Sequence, residues 1–158
     1  MAEYTAKPTL LTEYLINLAK TKASELGLVA VYYCDQEYIP EVPALCIEPA
    51  QVVRELDGAP MRTTNEFLVS ALMYCANVEG VENAQHDADL MAEAVADMFN
   101  QDGVAPGAAS PDGTRFGGLV IYGYVQSSEY GYVVKSSKLM RANRMLIYAK
   151  SRTNLLEA

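Results

Sequence analysis

The chain has 158 residues, 51% of them apolar and 20% charged, with a formal net charge of −8. That is enough chain for one domain with its own hydrophobic core, and it is far from the composition of a disordered segment. No apolar run approaches the ~20 residues that span a bilayer, no signal-like stretch leads MAEYTAKPTL, and the negative charge argues against wrapping nucleic acid while permitting DNA to slide past a repelling wall.

In chain order, the spacing of Leu11, Tyr14, Leu15 and Leu18 predicts a helix over about Thr9–Glu25, with Pro8 at its start and Gly27 as its stop. LVAVYYC, Leu28–Cys34, reads as a strand because it is β-branched and aromatic. Asp35–Pro43 is a loop bounded by Pro40 and Pro43, Ala44–Ile47 is extended, and Glu48–Leu56 reads equally as strand or short helical turn before the turn at Asp57–Pro60. Thr63–Cys75 is a strand with Phe67, Val69, Ala71 and Met73 on one face and Leu68, Leu72 and Tyr74 on the other. A strand apolar on both faces lies inside a sandwiched sheet or is covered by a partner on its second face.

Val81–Phe99 is a second helix whose Ala84, Ala88, Met91, Val95 and Met98 cover the sheet, with acids opposite. Asn100–Gly118 is rich in glycine and proline and predicts a long loop that contributes no core element. Leu119–Gln126 returns to strand, a turn follows near Ser127–Glu129, and Tyr130–Val134 is extended. Ala142–Thr153 alternates, with Met145, Ile147 and Ala149 against Arg144, Leu146, Tyr148, Lys150 and Arg152; it reads as a guarded edge strand or a subunit contact. The pattern predicts a single α+β domain over residues 1–158, a largely antiparallel sheet packed against two helices.

Catalytic chemistry finds little support. His86 is the only histidine; with Glu82 and Asp89 it shares a helix face that would suit a divalent ion, but no second His or Cys joins them and an acidic solvated face explains the pattern. Cys34, Cys46 and Cys75 form no CxxC pair and read as reduced thiols in or beside the sheet. Asp112–Gly118 is glycine-rich without being a phosphate loop. No catalytic residue, metal site or cofactor is therefore assigned. Charge is uneven: residues 1–102 hold 17 acids and 5 bases, and residues 103–158 hold 3 acids and 7 bases. That asymmetry suits a solvated acidic face or head-to-tail contact between copies. Tyrosine is abundant, at eleven, and Tyr32, Tyr74, Tyr122, Tyr124 and Tyr148 alternate along strands, as at sheets that meet another subunit or in half-buried monomer sheets.

The helix ending at Glu25–Gly27, the segments YIPEVPALCIEP, TTNEFLVSALMYC, ENAQHDADLMAEAVADMFN and GGLVIYGYVQ, and the closing basic strand RANRMLIYAKSRTNLL together resemble the tail terminator, or tail completion (minor tail), proteins of long-tailed bacteriophages. The resemblance is one of layout across most of the chain. It implies a homohexameric ring at the head-proximal end of the virion tail, made in the host cytoplasm. Such a ring caps the tail-tube protein, stops its polymerisation, meets the head-completion or neck proteins, and lets DNA through its lumen. On that layout Thr63–Cys75 and Ala142–Thr153 lie near ring contacts, and the Asp35–Pro43 and Asn100–Gly118 loops are axial docking candidates. The residues expected at subunit or docking contacts are Tyr74, Tyr122, Tyr124, Arg144, Tyr148, Lys150, Arg152, Arg115, Lys135 and Lys138. Two other readings stand beside it: a small-molecule-binding or enzymatic domain with a pocket under the 100–118 loop, and a metal-binding protein using Glu82, His86 and Asp89.

Overall fold

A computed structural model of the chain describes residues 7–56, 62–104, 116–117, 119–135 and 137–154. The elements run α1 (Pro8–Leu26), β1 (Ala30–Tyr33), β2 (Ala44–Leu56), β3 (Arg62–Cys75), α2 (Glu82–Val104), β4 (Tyr122–Lys135) and β5 (Lys138–Asn154). The strands form one sheet in the order β1-β2-β3-β5-β4. Only β1 and β2 are parallel; the other three pairings are antiparallel. This is the expected α+β class, with two helices against a mostly antiparallel sheet.

α1 begins as its sequence dictates. Pro8 occupies the first turn, where a missing N–H costs nothing, and Gly27 ends the helix in the left-handed region at φ 79°, with the Leu28 N–H donating back to the Ala23 carbonyl. Leu11, Leu15 and Ala19 of α1 and Val95 and Phe99 of α2 all pack on one face of the sheet. They meet Leu45 and Ile47 of β2, Phe67, Val69, Ala71 and Met73 of β3, and Met145, Ile147 and Ala149 of β5. Each buried Leu, Ile, Val, Phe or Met among them contributes about 1.5–3 kcal/mol relative to exposure, so this layer dominates the stability.

Two open readings are narrowed and two expectations are corrected. Glu48–Leu56 is strand, continuous with Ala44–Ile47; a bulge between Pro49 and Gln51 blurs its alternation and leaves the pairing with β3 otherwise unbroken. Nor do Ser127–Glu129 turn the chain. β4 runs through them, with a bulge between Val125 and Ser127 absorbing the irregular pattern. The terminal strand β5 is not an edge, since it lies between β3 and β4, and the edge on that side is β4. Finally, the segment read as a loop without a core element begins as the end of α2, which runs to Val104, and it supplies the fully buried Phe116. The turn at Asp57–Pro60 and most of the 100–118 loop, including Arg115, lie outside the described residues.

Candidate functional site: the second face of the sheet

Because side chains alternate across a strand, residues out of phase with the helix-side core form a second face. The register places Tyr122, Tyr124 and Gly131 of β4 beside Lys150, Tyr148 and Ala142 of β5, and these beside Glu66, Leu68 and Tyr74 of β3. One end of this face is covered. Ile39, from the segment between β1 and β2, packs on Ala44, Cys46, Tyr74, Met140 and Ala142.

That cover is pinned by charge. The Lys135 ammonium donates to Asp35 Oδ1 at 2.8 Å and to the Gln36 carbonyl at 2.7 Å, and lies 5.2 Å from the Tyr74 ring centre. Tyr74 donates its hydroxyl to the same Asp35 oxygen at 2.7 Å. Burial, then the Asp35 hydrogen bond and charge, pushes the Tyr74 phenol well above the usual tyrosine range. Tyr74 and Lys135, both expected at contacts, are thus engaged within this chain, and Tyr74 is only 3% exposed.

No element covers the other end of the face among the described residues. Tyr122, Tyr124 and Tyr148 cluster there, with ring centres 6.4 Å (122–124), 6.2 Å (122–148) and 5.6 Å (124–148) apart. Aromatic pairs at such spacings add about 0.5–1.5 kcal/mol beyond their burial. Tyr148 also donates to Glu66 Oε1 at 3.1 Å; desolvation first, and then that carboxylate, raises its pKa. Arg144 and Lys138 are exposed on the same face and Lys150 is half-buried there, none with an ion pair among the described residues. The structure therefore brings Tyr122, Tyr124, Tyr148, Arg144 and Lys150 onto one surface, sets Tyr74 and Lys135 apart under the cover, and places Lys138 at the hairpin end. The backbone of Arg152 continues β5 in register with Thr64.

The helix-bearing side is closed by two clasps. Arg141 donates from Nε and Nη2 to the two oxygens of Asp89, each at 3.0 Å, with its guanidinium 5.7 Å from the Tyr130 ring centre and 5.0 Å from that of Tyr132. Tyr132 in turn donates to Gln85 of α2 at 2.7 Å. The Asp89 carboxylate is thereby committed to Arg141, although it lines one open pocket with Glu82 and the exposed His86. No cluster of three metal-ligating side chains occurs among the described residues.

The second clasp sits at the base of the 100–118 loop. Tyr14 donates to Asp102 Oδ2 at 2.6 Å and its ring lies 6.1 Å from that of Phe116. Burial, followed by Asp102, raises the Tyr14 pKa. Phe116 fills the gap where Gly103 of α2 approaches Gly123 of β4; a Cβ on Gly103 would lie 2.1 Å from the Gly123 carbonyl oxygen.

Two glycine-centred repeats, Tyr122-Gly123-Tyr124 and Tyr130-Gly131-Tyr132, passed unremarked in the sequence, although a glycine between tyrosines in a strand is a signal in itself. The chain matches no protein-family model and no curated protein. Among solved structures it is similar to a chain of the virion of a native gene transfer agent particle. The identity is 16%, the TM-score 0.53, and the match covers 96% of this chain and 95% of that one. At that identity the likeness is one of fold.

Proposed function

We propose that this protein is a structural virion subunit that assembles into a hexameric ring at the head-proximal end of a phage-type tail. There it caps the tail tube, stops its growth and meets the head-completion proteins while DNA passes through. The observation that carries the reading is the near end-to-end likeness of fold to a chain from a gene transfer agent virion. The half-covered sheet supports it. β3 is apolar on both faces and is covered by helices on one; the sheet's second face carries exposed Tyr122 and Tyr124 of β4 beside half-buried Tyr148 of β5, with no covering element there among the described residues. Tyrosine and arginine are the residue types enriched at subunit contacts, and Arg144 lies on the same face.

Native mass spectrometry with negative-stain imaging tests this, first on the protein alone and then with the tail-tube protein. Hexameric rings, or rings formed on the tube ends with arrested tube length, are expected. A stable monomer that binds neither tube nor head-completion protein would remove the proposal.

A further inference from the structure

Six glycines fall within the described residues, and five have an evident reason. Gly27, Gly80 and Gly117 have positive φ, and Gly103 and Gly123 are points where a Cβ would collide with backbone or with Phe116. Gly131 has neither. Its φ is not positive, and a Cβ there would meet nothing within 4 Å. Glycine inside a strand costs about 0.5–1 kcal/mol relative to alanine, and where no bulge or bend requires it, it marks close approach by something else. The contrast with Gly123 is instructive. Both sit in Tyr-Gly-Tyr triplets of β4, but the bulge between Val125 and Ser127 flips the alternation, so Gly123 faces the helices and Gly131 the second face. At Gly123 the approaching group is Phe116, from within the chain.

Opposite Gly131 stands Ala142, so two small residues pair across β4 and β5 and leave a notch of about 220 Å³ in the second face. Tyr74 and Leu72 wall it on one side, and Arg144 and Glu129 rim it. We propose that this notch receives Leu90 from α2 of a second copy of this chain. Leu90 is the apolar centre of the outward stripe of α2 and is 48% exposed. Around it on the same stripe are exposed Asp87, Glu93 and Asp97, none in an ion pair among the described residues. Unpaired anions beside Leu90 thus complement Arg144 at the rim of the notch. α1 offers no such match, because the charges on its exposed side, Glu13, Lys20, Lys22 and Glu25, cancel. The notch and α2's outer stripe lie on opposite sides of the protomer, one beneath the sheet and one above the helix layer. Contact between them is therefore head-to-tail, the kind that closes into rings and cannot close a two-fold dimer.

This inference rests on the ring reading, so its test separates the two. Gly131→Ile fills the notch with a strand-favouring side chain whose Cβ has open space, so the variant keeps or raises the monomer's melting temperature. Sedimentation velocity across a concentration series should show self-association weakened by about tenfold or more in Gly131→Ile and in Leu90→Ala. Arg144→Glu should weaken it similarly, and adding Glu93→Arg should restore it. A photo-crosslinker at position 131 should trap α2 of a neighbouring copy around Leu90. Wild-type rings that persist unchanged in Gly131→Ile, or a crosslink to any other segment or protein, overturn the inference and leave the virion reading intact. A wild type that stays monomeric overturns the inference too, and the virion reading is then decided by whether that monomer caps tail tubes.

Discussion

Phe116 and Gly123 offer the sharpest check on the core. Phe116 is fully buried against α2, β4 and Tyr14, so Phe116→Ala removes a ring and opens a cavity. Phe→Ala at such sites costs about 3–5 kcal/mol, which for a chain of this size is a fall of roughly 6–20 °C in melting temperature. Gly123→Ala alone places a methyl 2.3 Å from Phe116 Cε2 and 3.0 Å from Cδ2, while the next neighbour, the Tyr148 carbonyl oxygen, is 3.1 Å away. Overpacking of that kind costs about 1–3 kcal/mol. With Phe116 already cut back to alanine, the same methyl enters vacated space, and alanine outranks glycine within a strand by about 0.5–1 kcal/mol.

Gly123→Ala should therefore change sign between the two backgrounds, with a coupling of about 1.5–4 kcal/mol. Gly103→Ala is the control. Its methyl meets the Gly123 carbonyl oxygen at 2.1 Å, a backbone atom that Phe116→Ala does not move, so it should be costly in both. The assay is urea unfolding followed by circular dichroism, at one protein concentration low enough to exclude assembly. Equal costs for Gly123→Ala in both backgrounds would refute the packing described here.

The Asp89–Arg141 clasp predicts that Asp89→Asn and Arg141→Met each lower stability by about 1.5–3 kcal/mol, less than additively when combined, measured by a double-mutant cycle. Cys75 gives the alkaline behaviour. Burial first, and then Asp89, pushes its thiol up to about 11. A folded pKa above the unfolded one means stability is full below the ordinary thiol pKa of about 8.5 and is lost as pH rises from there toward 11. Cys75→Ala should flatten the decline between pH 9 and 11 in a series of melting curves, and an unchanged slope would remove Cys75 as its source.

What the sequence disclosed follows from which features are local. The faces of α1 and α2, the Gly27 stop and the two-sided β3 were legible because periods of 3.6 and 2 are properties of neighbouring residues. Phe116 was not, because its burial depends on Gly103 and Gly123, glycines on two other elements that make room for a ring between them. Bulges at Pro49/Gln51 and Val125/Ser127 broke the alternation in β2 and β4 just where it was being read, leaving one strand undecided and splitting the other at a supposed turn. The sheet order was hidden for another reason. β5 inserts between β3 and β4, and such pairing between distant segments has no local signature.

For the second face, the tyrosines were visible from their alternation, but their abundance misdirected as well as informed. Tyr74 belongs to the covered end, held by Asp35 and Lys135, while Tyr122, Tyr124 and Tyr148 belong to the open one. The residue that separates a merely wet sheet face from one shaped to receive a partner carries no side chain at all. A solvated face has no use for glycine at position 131, since a Cβ there would meet nothing within 4 Å and β-branched residues are favoured in strands. A glycine where the chain itself leaves room is best explained by contact with another molecule. Its position opposite Ala142, rimmed by Arg144 and set on the far side of the sheet from the acidic stripe of α2, gives that contact a direction as well as a place.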